Sequence, residues 1–163
     1  MTISFLDKQK AAETLPILFD LLYENMSQIA PSGESYETDR AEWLSAVLPA
    51  MQQEPRQILL LQDGNALAGY VQYYVNNGVF MVEEIQLRQA YQRTRALYRV
   101  CRFLKTVVPR ETRWIEAYAH KRNTVSQALI RSLGMECIGE NRNGNSWHYR
   151  GELSSLLHRF EEK

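Results

Sequence analysis

The 163-residue chain carries 19 basic and 19 acidic residues, and its 45% hydrophobic and 10% aromatic content is that of a globular protein rather than a disordered one. Formal neutrality excludes a polyelectrolyte drawn as a whole to nucleic acid or to a membrane surface. The length favours a single domain over residues 1–163 that buries its own core without a metal or disulfide.

Residues 3–6 read as a short first strand. Leu15, Leu18, Phe19, Leu22, Met26 and Ile29 then follow a helical period. Pro16 suits the first turn of that helix, with Thr14 as N-cap, or else kinks it. PSGESYE (31–37) is an acidic turn, after which Thr38 is expected to cap DRAEWLSAVLPAMQQ. Trp43, Leu44, Val47 and Met51 share one side of this second helix, and Pro49 weakens its last turn. QILLLQ (57–62), ALAGYVQYYV (66–75) and VFMVEEIQL (79–87) read as three consecutive strands. They are joined at Asp63-Gly64-Asn65 and Asn76-Asn77-Gly78, both hairpin signals.

Residues 95–108 form the cleanest amphipathic helix, with Leu97, Val100, Cys101, Leu104, Val107 and Val108 on one face. Arg95, Arg99 and Arg102 cluster opposite, and Pro109 ends the helix. RWIEAYA (113–119) is a strand. Asn123 or Thr124 caps a short helix with Val125, Ala128, Leu129 and Leu133 inward and Gly134 as its left-handed terminator. MECIGE and SWHYRG pair across NRNGN, and Leu153, Leu156, Leu157 and Phe160 make a small last helix. A meander of three strands before a crossover helix implies an α/β fold with a mixed sheet.

Charge is unevenly placed along this order. Residues 1–54 hold nine acids against three bases, and residues 55–110 hold eight bases against three acids. Ordinary surface variation and two sites of opposite preference both fit. Cys101 and Cys137 lie far apart among apolar residues and read as free, buried thiols of a reducing compartment. MTISFLDKQK lacks a signal-peptide core, and no apolar run approaches the roughly 20 residues that span a bilayer, so a cytoplasmic protein is expected. His120, His148 and His158 form no ligand spacing with each other or with the cysteines, so no metal site is expected.

Two stretches carry a resemblance. NTVSQALIRSLGMECIGE (123–140) is similar to an N-acetyltransferase motif in which Asn123, Ser126, Leu129, Leu133, Gly134 and Met135 fall on the patterned positions. VEEIQLRQAYQRTRAL (82–97) is similar to an acidic strand followed by a pyrophosphate loop, with Gln92 on its first position and Arg95 and Leu97 where glycine, or glycine or alanine, is usual. With the element order, these residues resemble the GNAT N-acetyltransferase superfamily, well over residues 56–150 and by arrangement over the N-terminal helices.

The resemblance implies a mixed, mostly antiparallel sheet flanked by helices, and acetyl-CoA as cosubstrate. It implies a cofactor-binding loop that opens at Gln92, with the pyrophosphate on backbone N–H groups of Arg93, Thr94, Arg95, Ala96 and Leu97, where a helix N-terminus offers unpaired donors. No acid lies between Glu84 and Glu111 while seven bases do, which suits a polyanion. Asn123 would meet the cofactor's pantetheine arm and is equally a helix cap, while Ser126, a cofactor-side position, is most simply a small residue allowing close approach. Backbone groups at Ile85 and Leu87 would face the thioester, where the family's strand splays open. Glu83 or Glu84, on opposite faces of one strand, would take the amine's proton. The family's usual tyrosine acid is replaced by Ile130, leaving water, Tyr118 or Tyr91 as substitutes.

An acidic, aromatic rim of Glu34, Tyr36, Glu37, Asp39, Glu42 and Trp43 suits a cationic acceptor, a small molecule or peptide amine. A solvated acidic loop is the plainer account of the same residues. The expected activity is acetyl transfer from acetyl-CoA to a primary amine. The competing expectation is a catalytically weak acyl-CoA-binding module, favoured by the missing glycines and tyrosine. A nucleic-acid binder using the arginine face is weaker, because arginines opposite an apolar stripe are the normal outside of a helix. Neither nucleic acid nor membrane is an expected partner. The closing hairpin and last helix are candidate surfaces for a second copy.

Overall fold

The computed structural model describes residues 1–53 and 55–161. Its order is β1 (Thr2–Phe5), α1 (Ala11–Met26), α2 (Tyr36–Met51), β2 (Gln57–Asp63), β3 (Ala66–Asn76), β4 (Val79–Leu87), α3 (Ala96–Val107), β5 (Trp114–His120), α4 (Thr124–Ser132), β6 (Glu136–Glu140), β7 (Ser146–Glu152) and α5 (Leu153–His158). The seven strands lie in the order β1-β2-β3-β4-β5-β7-β6. The β1–β2, β2–β3, β5–β7 and β6–β7 ladders are antiparallel, and β4–β5 is parallel. This is the element order and the mixed sheet that the sequence implies.

The chain divides into two compact units. The first comprises Met1–Tyr73 and Glu84–Gln92. Its core gathers Leu6, Ala11, Leu15, Leu18, Leu21, Val47, Met51, Ile58 and Tyr70, with Trp43, Leu44, Leu48, Leu60 and Leu67 packed against them. α1 begins at Ala11, five residues before Pro16, and carries that proline inside. A 3-10 turn over Lys8–Lys10, with the Asp7 side chain accepting from the Gln9 N–H, leads into it. The expected start near Pro16 is therefore displaced: burial of Ala11 and Leu15 outweighs the hydrogen bond the proline removes. α2 begins at Tyr36 and is capped by Ser35, whose hydroxyl accepts from the Thr38 N–H at 3.1 Å, so Thr38 is third in the helix rather than its cap.

Gly69 on β3 is required by close approach. A Cβ there would meet the Gln86 carbonyl oxygen and lie 2.6 Å from the Leu87 side chain. β2 and β3 meet at Gly64, where φ is +60, and β3 and β4 turn at Asn77 and Gly78, with φ 49 and 74. Two successive positive φ values are the primed turn that matches strand twist.

The second unit comprises Tyr74–Glu83 and the chain from Arg93 onward. α3 buries Ala96, Val100, Cys101 and Leu104 and leaves Arg95, Arg99 and Arg102 exposed, as its periodicity predicts. α4 does not follow its expectation. Val125 is 72% exposed, Leu129 is 44% exposed, Ala128 is exposed, and its buried residue is Gln127. The Gln127 amide donates to the His120 and Lys121 carbonyls at 3.1 and 2.8 Å, so a polar anchor to the preceding turn orients α4. α4 ends as expected: Gly134 has φ 85, its N–H donates to the Arg131 carbonyl, and the Met135 N–H donates to the Ile130 carbonyl. Cys101 is buried, but Cys137 is exposed, because every residue of β6 lies at the surface.

Candidate functional site

The first unit holds a carboxylate with two donors. Strand alternation turns Glu84 and Gln86 to one face of β4 and Glu83 to the other. The Tyr70 hydroxyl donates to Glu84 Oε2 at 2.5 Å, and Trp43 Nε1–H donates to Glu84 Oε1 at 3.2 Å. Burial, and then the adjoining Glu84 carboxylate, push the Tyr70 hydroxyl far above its ordinary value, so it remains a neutral donor. Of the rim residues, Trp43 thus reaches Glu84. Tyr36 and Trp43 join Phe19 and Tyr23 in an aromatic group with centroid spacings of 5.1–5.8 Å. Tyr36 donates to Asp20, Asp39 accepts from Ser32, and Glu34, Glu37 and Glu42 lie exposed.

The end of β4 is closed by side chains far apart in sequence. Asn25 donates to Gln86 Oε1 at 2.9 Å and to the Leu87 carbonyl at 3.1 Å. Gln92 Nε2 donates to the same carbonyl at 3.0 Å, and the Gln92 N–H points into a 3-10 turn over Gln89–Tyr91. Gln92 therefore shapes the loop with both its amides. Ile85 is 40% exposed. Tyr91 is tied to the hairpin instead, its hydroxyl donating to Asp63 at 3.0 Å.

The second unit holds the arginine loop. Arg93 has φ 61, a left-handed conformation that a side chain disfavours, and it turns the chain toward α3. Arg93, Thr94 and Arg95 are exposed, and no acid lies in the first turn of α3. Thr94 Oγ1 accepts from the Ala96 N–H at 3.2 Å, one of the helix's own orphan donors, and Leu97 is half-buried in the same turn. Asn123 caps α4 by accepting from the Ser126 N–H at 3.1 Å. The parallel β4–β5 register runs from Val79↔Trp114 to Val82↔Ala117, and β5 continues through Tyr118 to His120. Tyr118 is 45% exposed and stacks on His148. His148 in turn contacts Glu116, an arrangement that no sequence spacing announces, because the two are 32 residues apart.

Among the described residues no group of three or more His, Cys, Asp or Glu side chains is placed to hold a metal ion. No described helix is long and apolar enough to cross a membrane.

No family model matches the chain, and no curated protein matches it in sequence. Solved structures match it throughout. An acetyltransferase from Thermus thermophilus superposes with a TM-score of 0.71 at 14% identity, over 93% of this chain and 97% of that one. The PaiA N-acetyltransferase from Thermoplasma acidophilum, in complex with coenzyme A, gives 0.66 at 15% identity over 93% and 99%. FdhC, a nucleotide-linked sugar GNAT, gives 0.68 at 12% identity over 98% and 90%. The chain has the GNAT fold. The resemblance in the sequence sets Arg95 and Leu97 where glycine, or glycine or alanine, is usual and Ile130 where tyrosine is usual. This copy of the GNAT fold makes its left-handed turn at Arg93, a position for which no glycine was expected.

Proposed function

We propose that the chain transfers an acetyl group from acetyl-CoA to a primary amine of a small molecule or peptide. The observation that carries this reading is the loop before α3, where Arg93 turns left-handed and exposed Arg93 and Arg95 precede a helix start without acids. Such an arrangement favours a pyrophosphate by helix-terminal N–H groups and guanidinium charge together. Asn123 caps α4 through its side-chain oxygen, and its amide N–H₂ would meet the pantetheine arm beside the small Ser126. Backbone groups at Ile85 and Leu87 would face the thioester. On the first unit, Tyr70 and Trp43 each donate to an oxygen of Glu84, which sets an acidic side chain beside the Trp43 ring, a pairing suited to a cationic amine.

Calorimetric titration with acetyl-CoA tests this reading. Binding that weakens at least tenfold in Arg95→Glu is the expected result, and no binding at millimolar cofactor sinks it. Ile130, which has no proton to give, favours a second reading as an acyl-CoA-binding module without turnover. Release of free CoA with a panel of primary amines separates the two.

A further inference from the structure

The first unit holds a side-chain amide whose donor end is unused. Glu84 and Gln86 share one face of β4, two residues apart and so about 6.6 Å along the strand. Both oxygens of Glu84 accept, one from the Tyr70 hydroxyl and one from Trp43 Nε1–H. Gln86 is only 9% exposed. Its Oε1 accepts from Asn25 Nδ2 at 2.9 Å, and the same Nδ2 donates to the Leu87 carbonyl at 3.1 Å. The Gln86 backbone is held as well, because β3 lies so close that a Cβ at Gly69 would meet its carbonyl oxygen.

These bonds fix which way each amide points. A backbone carbonyl can only accept, so the Asn25 atom on Leu87 is the N–H₂ group and not the oxygen. The second hydrogen of that group needs an acceptor of its own, so the Gln86 atom beside it is Oε1. The Leu87 carbonyl therefore orients Asn25, and Asn25 orients Gln86. The Gln86 N–H₂ is left at the far end of this relay. It has no hydrogen-bond partner among the described residues, and it keeps access to solvent. A nine-tenths buried side chain thus offers a donor of fixed direction whose acceptor must come from outside the protein. A ligand oxygen can be that acceptor, whereas a ligand N–H cannot, because Nε2 has no lone pair to give.

We propose that Gln86 is a specificity-determining residue of the acceptor site, donating through Nε2 to an uncharged oxygen that the substrate carries a few bonds from its amine, with Asn25 as the positioning residue that aims this donor. The proposal rests on the acetyl-transfer reading, in which Glu84 and the Trp43 ring receive the amine. It narrows the acceptor to amines that bear a carbonyl, hydroxyl or ether oxygen and sets plain alkylamines apart. An uncharged oxygen suits the place better than a carboxylate, because an acidic side chain, Glu84, stands two residues away on the same face. An amine without the oxygen displaces water from the Gln86 N–H₂ and leaves it unpaired, which is how a site built around a buried polar group rejects an analogue. No local pattern shows this residue, since the amide that aims it lies 61 positions away.

The test compares kcat/KM for CoA release with β-alaninamide, 2-methoxyethylamine and n-butylamine, in wild type, Gln86→Leu, Gln86→Glu and Asn25→Ala. Each value is taken relative to n-butylamine in the same protein, so the basicities of the amines cancel between variants. Wild type is expected to prefer an oxygen-bearing amine, and the larger preference tells a carbonyl from an ether. That preference falls about tenfold in Gln86→Leu. It falls likewise in Gln86→Glu, which keeps the side chain's shape and an acceptor for Asn25 but has no N–H₂ to give. Asn25→Ala lowers it by a smaller factor, because the amide keeps its donor and loses its aim. A merely structural loss slows all three amines alike and leaves the preference where it was. A wild type without the preference, or a preference that survives both Gln86 variants, overturns this proposal and leaves acetyl transfer standing. A folded wild type that releases no CoA with any amine overturns both.

Discussion

The Tyr70 hydroxyl donates a 2.5 Å hydrogen bond to Glu84, joining the first unit's core to the β4 carboxylate that also accepts from Trp43 of α2. Tyr70 has no exposed surface, so its hydroxyl is tolerated inside only because that bond satisfies it. Tyr70→Phe keeps the ring and removes the donor. Bonds to charged groups contribute about 1.5–3 kcal/mol, and the variant should lose that much in urea denaturation with an unchanged m-value. Full stability in Tyr70→Phe would mean that the bond is not formed in solution.

Gly69→Ala tests the approach of β3 to the end of β4. The added methyl would meet the Gln86 backbone carbonyl and the Leu87 side chain, and a backbone atom in a paired strand cannot move aside cheaply. Overpacking of this kind costs about 1–3 kcal/mol or more. A thermal melt of Gly69→Ala should show a clear drop, whereas Gly33→Ala, with open space around it, is strained only by its φ of +87. Equal melting temperatures for wild type and Gly69→Ala would contradict the close approach.

Glu116 predicts an acid-labile element of stability. Its folded pKa lies below the ordinary 4.5, because the Arg150 and His148 hydrogen bonds exceed the opposing effect of burial. A depressed carboxylate contributes stability that is fully present above its unfolded value and is lost as pH falls through the folded one. Urea midpoints measured from about pH 6 to about pH 2 should therefore fall more steeply in wild type than in Glu116→Gln. Parallel curves would remove Glu116 as the cause.

The two thiols should differ in reactivity. Burial pushes the Cys101 thiol up to about 12, and Cys101 is only 5% exposed. Cys137 lies exposed on β6. Native protein treated with an aromatic disulfide reagent should therefore release one equivalent promptly, and the second only in denaturant. Mass mapping should place the first label at Cys137, and prompt labelling of Cys101 would refute its burial.

Most of the fold is legible in local patterns. Residues 95–108 pair a 3.6-residue apolar stripe with an arginine face, and both lie where the period puts them, because a helix on a core has a single way to bury that stripe. Asn76-Asn77-Gly78 states its own turn type, and Gly134 its own helix stop, through φ values that few residues adopt. Pro16 misleads because local chemistry favours a first turn there, while five further residues of helix gain burial for Ala11 and Leu15. Val125 and Leu129 mislead in the opposite sense. Their spacing is helical, but a period cannot say whether any element lies across from it.

For the candidate site, sequence alone determined the basic loop ahead of α3, the acidic pair on β4 and the Asn123 cap, because each is a short-range pattern with a short-range cause. Tertiary structure alone decided that Glu84 rather than Glu83 meets Trp43 and Tyr70, that Asn25 closes the end of β4, and that Glu116 holds His148. Those partners are 14 to 62 residues apart. Strand register and helix placement bring such groups within hydrogen-bonding range, and neither is written into the spacing of the residues themselves.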